Sequence, residues 1–329
     1  MTPAVRTGIA IAAVCLFCVG TQAQPADTGG LEVLQLRPNF FMIAGAGGHI
    51  GVQVGDDGVV VVDAGSSARA DAVVAAIKKL TPRPIRYVIN TSADPDHVGG
   101  NETLSKAGQT LFTAPGSIAL PGNFLGGAAS ILAAEKVLSR MSAPTGQASP
   151  FPAGAWPTET FDHPRKYMYL NDEGIEVLHQ PAAHTDGDVV VFFRRSDVVV
   201  AGDILDTTRF PVIDVAKGGT INGEIAALNR LVELAIPSVP IVSREAGTIV
   251  IPGHGHLCDQ FDVVEYRDMV TIIRDRVRDL IAAGRTLDQV KAASPARGYT
   301  RRYGSETGPW TTNNFIEAIY QSLKAQVEK

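Results

Sequence analysis

The stretch IRYVINTSADPDHVGGNETLSKA, residues 85–107, joins three patterns in one run. Ile85 to Asn90 is a short apolar run with β-branched residues, which reads as a buried strand. Asn101 to Ala107 opens a helix. Between them lies a loop carrying Ser92, Asp94, Asp96 and His97, followed by Gly99-Gly100. Loops at strand ends are where a rigid scaffold presents functional side chains. Carboxylate beside imidazole is ligand chemistry for zinc, manganese or non-haem iron.

Working outward, residues 31 to 63 contain short apolar runs split by Gly and Asp-Asp-Gly turns, the pattern of antiparallel hairpins. Residues 67 to 80 have helical spacing, with Ala72, Val73, Ala76, Ile77 and Leu80 on one stripe. Thr110 to Thr113 reads as a short strand and 117 to 140 as helical. Residues 142 to 165, rich in Pro, Gly, Ser and Thr, read as a loop. Three strands follow, in GIEVLHQP, DVVVFFRR and DVVVAGD. Then come a helix over 222 to 236, a strand in TIVIPG, a long helix over 260 to 283 and a closing helix at about 312 to 328. Strands, then alternation, then strands, then alternation predict an α/β (α+β) chain. Its two sheet-bearing halves pack as an αββα sandwich of two mixed sheets, with helices on the outer faces. The expected organisation is one domain over 31–329, with its core at about 31–275 and C-terminal helices at about 276–329.

Metal-capable residues recur beyond the other apolar runs. His184 stands in PAAHTDGD, Asp203 in VVVAGDI and His254 in VIPGHGH. Taken singly, each has a bland reading as a solvated turn or a hydrogen-bonded histidine. Their recurrence in four successive strand-end contexts is what points to a shared site.

The ordered set VVVVDAG (59–65), DHVGGN (96–101), HTDGD (184–188), AGD (201–203) and PGHG (252–255) resembles the metallo-β-lactamase superfamily over roughly residues 31 to 275. The resemblance implies the αββα fold with a one- or two-metal site at one edge. It implies Asp96, His97 and His254 as ligands of a second metal, Asp203 as a bridge and His184 as a ligand of the first metal. Asp63 matches the buried aspartate that supports the ligand loop from behind. The implied activity is hydrolysis, with a metal-activated hydroxide attacking a carbonyl of a lactam, lactone, ester or thioester, and a phosphorus or sulfur centre as the less favoured target. Asp96 would shuttle a proton.

The sequence departs from the family motif His-x-His-x-Asp-His at its first two histidines, which are here Ser92 and Asp94. Three readings stay open. One metal is held by Asp96, His97, His254 and Asp203. Alternatively Asp94 and His184 hold a second metal, with Ser92 bound weakly or through water. In the third reading the metal is lost and the fold serves binding alone. Charge ranks them: Asp94, Asp96 and Asp203 converging without a cation would repel, and at least one pKa would have to rise. Zinc is the expected ion, in one or two copies, and the oxygen-rich first site admits manganese or iron. An iron-dependent redox enzyme and a secreted binding protein with a degenerate site are the alternatives.

Other residues weigh less. His256 and Cys258 are expected on the next turn, outside the ligand set. His49 reads as substrate contact or loop packing, and His163 and His179 as structural. Phe124, Leu125, Phe151 and Trp156 either wall the pocket or cover the core. GAGGH (45–49) lacks the spacing of a dinucleotide fingerprint.

The chain has 329 residues, 45% of them hydrophobic and 19% charged, with a net charge of -5 and no long basic run. Nucleic-acid binding has no electrostatic support here, and a small-molecule substrate is expected. Arg6, the apolar stretch from Gly8 to Gly20 and Thr21-Gln22-Ala23 read as a secretory signal peptide, residues 1–23, cut after Ala23. A short flexible segment, 24–30, follows. The expected product is periplasmic or secreted, without stable membrane insertion. It keeps only Cys258 and so forms no internal disulfide.

Overall fold

The computed structural model describes residues 30–111, 127–144, 146–238 and 247–327. The signal-peptide segment, Phe124 and Leu125 lie outside these residues. The first sheet comprises β1 (Glu32–Arg37), β2 (Phe40–Ala44), β3 (Ile50–Gly55), β4 (Gly58–Val62), β5 (Ile85–Ile89), β6 (Ser130–Ala134) and β7 (Glu159–Phe161). They lie side by side in that order. β1 to β4 pair antiparallel, and β4 to β7 pair parallel. The second sheet comprises β8 (Arg165–Leu170), β9 (Glu173–Gln180), β10 (Asp188–Phe193), β11 (Val198–Asp206) and β12 (Ile249–His254). Its order is β12-β11-β10-β9-β8, antiparallel except for the β11–β12 pair. Both sheets are mixed, as the sequence pattern predicts.

The helices are α1 (Ala70–Leu80), α2 (Pro95–Val98), α3 (Asn101–Ala107), α4 (Glu135–Met141), α5 (Ile221–Leu234), α6 (Gln260–Ala282), α7 (Leu287–Ala292), α8 (Thr300–Tyr303) and α9 (Thr312–Val327). Three apolar layers glue the sandwich. Phe40, Val60, Val62 and Ile89 of the first sheet meet Val177, Val191, Phe193 and Val200 of the second. Val59, Val61 and Val88 on the opposite face of the first sheet pack on Val73 and Ile77 of α1 and Leu104 of α3. Val190, Val199 and Val250 on the outer face of the second sheet pack on α5, α6 and α9 through Leu228, Met269 and Ile319. β4 is buried along its whole length because both its faces are covered, which is why VVVV carries no polar alternation.

Three expectations need correction. Residues 130–134 of the stretch read as helical form β6, and among its described residues the helix is Glu135–Met141. A short apolar run such as SILAA fits either period, and its parallel pairing with β5 and β7 decides the outcome. The loop expected over 142–165 contains β7, which extends the sheet edge beside β6. Thr110 and Leu111 lie in no strand, and Thr113 is outside the described residues. β8 has no counterpart in the sequence reading, whereas α7, α8 and α9 fall in the C-terminal helical region expected at about 276–329.

Candidate metal centre

The site forms at one end of the sandwich. β5 ends at Ile89 and the chain turns into α2, with Asp94 at its N-cap and Pro95 at its first position. Proline there costs no hydrogen bond, because that N–H is unpaired in any helix. Ser92 is buried, and its Oγ accepts the Asp94 N–H at 3.3 Å, which shapes the turn. The loop is pinned at its two ends by Asn90 and Asn101, both fully buried, whose amides exchange bonds at 2.9 and 2.8 Å.

Asp203 lies within β11 rather than past its end. The pairing with β12 shifts register between Gly202 and Asp206, and such irregularities re-aim side chains beside functional sites. His184 comes from the β9–β10 connection and His254 from the last residue of β12. The fold thus brings together side chains separated by up to 160 positions. Asp96, His97, Asp203 and His254 form one group of ligand atoms within 4.8 Å of one another; Asp94, His184 and Asp203 form another. Asp203 belongs to both groups.

Distances define the arrangement. His97 Nε2 is 3.1 Å from Asp203 Oδ1, and His254 Nε2 is 3.1 Å from Asp96 Oδ2 and 3.5 Å from Asp203 Oδ1. His184 Nε2 is 3.4 Å from Asp94 Oδ2, while its Nδ1 faces Asp188 Oδ1 at 3.5 Å. Asp188 is itself held by the N–H and hydroxyl of Thr185 at 2.6 and 2.7 Å. Lys217 Nζ stands at the rim, 2.9 Å from Asp214 and 3.6 Å from Asp94 Oδ1.

Asp63 sits behind His97. Fully buried, with a positive φ of 65°, it accepts the Thr91 N–H at 2.8 Å, the Thr91 hydroxyl at 2.7 Å and His97 Nδ1 at 2.8 Å. A non-glycine residue in that conformation is costly and persists only where its surroundings hold it. Its bond to Nδ1 turns the other ring nitrogen, Nε2, toward Asp203. That nitrogen is buried and makes no hydrogen bond. An orphaned imidazole nitrogen facing a carboxylate is what a cation between them would satisfy, so the residues fit a divalent ion.

The electrostatics agree. Burial opposes ionisation of Asp203, but His97, His184 and His254 outweigh it and hold its carboxyl far below the usual range. Burial likewise opposes protonation of His97, yet Asp203 and Asp63 lift its pKa well above the ordinary imidazole value. His184 is raised to about 9, its burial overcome by Asp188, Asp203 and Asp94. A hydrogen bond from His254 lowers the Asp96 carboxyl. In a protein without a bound cation, imidazolium charge balances carboxylates that a metal would otherwise balance.

Residues missed by sequence reasoning also build the site. A Cβ on Gly48 would lie 2.8 Å from His97 Cε1, so the 45–49 loop roofs His97 and only glycine fits. A Cβ on Gly253 would lie 2.4 Å from Asp203 Oδ1. Their only sequence signal was the Gly-rich composition around them. His49 packs against β12, with its Nδ1 3.0 Å from the Pro252 carbonyl, so the packing reading holds. His179 bonds the Asp186 carbonyl at 2.9 Å. Phe151 and Trp156 pack against the inter-sheet core, with Trp156 Nε1 donating to the Phe151 carbonyl at 3.0 Å.

Glu224 of α5 carries a further signal. It is fully buried with neither carboxyl oxygen hydrogen-bonded, and burial, then Asp188, raise its pKa well above the ordinary value of 4.5. The folded state keeps a proton that the unfolded state loses above that value, so this residue lowers stability as pH rises from there toward the folded pKa. Glu224→Gln is expected to flatten that slope. Urea unfolding of the variant and parent at about pH 5 and about pH 8 should show the variant's relative stability higher at the upper pH. An equal difference at both would mean that the folded and unfolded states share one pKa.

A model described as the metallo-beta-lactamase superfamily matches residues 45–254. The linear primary-alkylsulfatase of Pseudomonas sp. (strain ATCC 19151) is 22% identical over 296 residues, which is 80% of this chain and 53% of that one. The chain thus spans about half the length of that curated relative. A metallo-beta-lactamase from Pontibacter korlensis superposes with a TM-score of 0.53 at 17% identity, over 73% of this chain and 99% of its own. The stereoselective inverting sec-alkylsulfatase Pisa1 from Pseudomonas sp. superposes with a TM-score of 0.59 at 15% identity, over 88% of this chain and 50% of its own. These two likenesses concern the fold.

Proposed function

The chain belongs to the metallo-β-lactamase superfamily, and on that premise we propose that it is a metal-dependent hydrolase of a small-molecule substrate. The observation that carries the reading is Asp203, one carboxylate shared by two groups of ligand side chains. Asp96, His97, Asp203 and His254 would hold one divalent ion, and Asp94, His184 and Asp203 a second. Zinc is the proposed ion, and the oxygen-rich second group also suits manganese or iron. A bound divalent ion would supply a hydroxide nucleophile near neutral pH and polarise the substrate oxygen.

The chain's own residues supply the rest. Asp63 fixes the ring of His97, and Asp188 faces His184 from the side opposite Asp94. Asp96 is partly exposed, and its carboxyl is lowered by the hydrogen bond from His254, so it is ionised near neutrality, the form that can accept a proton. The scissile centre is proposed to be a carbonyl, as in a lactam, lactone, ester or thioester. A sulfate ester is the second reading. It is favoured by the alkylsulfatase relative and by Lys217, a partly exposed ammonium beside Asp94 that could meet an anionic group. Export and cleavage after Ala23 belong to the same proposal, and the described residues contain no helix long and apolar enough to cross a membrane.

The test is a panel of lactam, lactone, thioester and alkyl sulfate substrates assayed with the parent and with Asp96→Asn. One class should be hydrolysed, and the variant should lose about 100-fold or more in kcat, the range for loss of a positioned proton-transfer group. Turnover of no class after loading with zinc, manganese or iron would remove the hydrolase reading and favour a binding protein.

A further inference from the structure

Immediately after His254 the chain reads Gly-His-Leu-Cys-Asp, residues 255–259. There His256, Cys258 and Asp262 bring ligand atoms within 4.8 Å of one another, in a group that shares no residue with the site described above. We propose that these three residues bind a separate divalent ion of borderline-soft character, zinc above all, between the β12–α6 connection and the first turn of α6.

Two of the three ligands are already fixed in place. Cys258 is locked by a reciprocal backbone pair with Val250, at 2.8 and 2.9 Å. Asp262 is held by a capping box: its Oδ2 accepts the Asp259 N–H at 3.1 Å, and its own N–H donates to Asp259 Oδ1 at 3.1 Å. That leaves Asp262 Oδ1 turned toward His256 Nε2 at 3.8 Å. The His256 backbone N–H is anchored on Thr207 Oγ1 at 3.0 Å, while its ring is half exposed and opens the group to solvent. Little ordering entropy is left to lose when an ion binds.

The donor set selects the ion. Thiolate, imidazole and carboxylate together suit zinc and cobalt better than magnesium or calcium. Thiolate and carboxylate neutralise a divalent charge, and water can complete a tetrahedron. The Cys258 thiol, pushed up to about 12 by burial and by Asp262 and Asp259, is neutral in the protein without a cation. Binding would form a sulfur–metal bond and release the thiol proton to solvent. The ion would tie α6 to the connection that starts at His254.

Cobalt(II) titration of the full chain reads this directly, because the Asp203 groups contain no sulfur. The expected result is a near-ultraviolet thiolate-to-cobalt charge-transfer band that is lost in Cys258→Ser. His256→Ala, a change at a half-exposed ring, should weaken the cobalt affinity of that band at least about tenfold without unfolding the protein. The band should persist in Asp203→Ala, which separates this site from the proposed catalytic one. A missing band at saturating cobalt, a band that survives Cys258→Ser, one indifferent to His256→Ala, or one lost in Asp203→Ala would overturn the proposal.

Discussion

Asp203→Ala is expected to abolish hydrolysis and strip divalent metal from both groups at once. No other side chain belongs to both. Its carboxylate is 3.1 Å from His97 Nε2 and 3.5 Å from His254 Nε2, and His184 adds to the charge that keeps it ionised. Removing it leaves three imidazoles facing one another without the anion they share. Loss of a residue that merely orients a ligand typically costs 10- to 100-fold in metal affinity or activity, at about the level of one hydrogen bond. Asp203 stands inside the ligand set, so the loss should exceed about 100-fold. Steady-state hydrolysis at saturating zinc is the check. Turnover within about tenfold of the parent would mean that the shared carboxylate is not at the centre of the chemistry.

Asp63→Ala should produce the largest loss of stability. The carboxylate and His97 are both fully buried. Substitution leaves the His97 Nδ1–H, the Thr91 N–H and the Thr91 hydroxyl without their acceptor. Breaking a buried charged pair by deleting one partner costs about 3–5 kcal/mol, because the other partner stays buried and uncompensated. The positive φ offsets none of this, since alanine is strained there as well. A fall in melting temperature of about 10 °C is expected for a chain of this size. Zinc affinity should also fall by about 10- to 100-fold, because His97 loses the bond that aims its Nε2. Calorimetry with and without zinc separates the two effects. A variant that melts within about 2 °C of the parent would deny Asp63 its supporting role.

The sandwich was legible where local pattern and tertiary packing agree. VVVV and IRYVI read as buried strands because both faces of the first sheet are covered. The hairpin at Gly55–Gly58 announced itself through Asp-Asp-Gly, and the long helix read over 260 to 283 is α6. β6 was not legible, since SILAA satisfies the helical and extended periods alike and only its place between β5 and β7 separates them. β8 hid for a different reason: it is an edge strand paired with β9 and exposes Tyr167 and Tyr169 on one face, so its alternation is weakly apolar. At the site, the candidate ligand residues stood out by their contexts and by the family resemblance, and the structure brings them into two groups within 4.8 Å. What could not be read was distance, such as the roof that Gly48 forms over His97. Nor does anything in INGEIAALNRLVEL mark Glu224 as buried without a partner.

Whether Ser92 and Asp94 retain the task of the two absent histidines is the central question of the site. Ser92 spends its hydroxyl on the Asp94 N–H, whereas Asp94 faces His184 with one oxygen and Lys217 with the other. Metal content per chain, by elemental analysis of protein purified without chelators, tests this most directly. It should be measured for Asp94→Ala in parallel, with Cys258→Ser as the background so that the Cys258 group contributes nothing. The account predicts bound divalent metal in the parent background and one ion fewer in Asp94→Ala. Protein that carries no metal, even after zinc, manganese or iron is added, would contradict it.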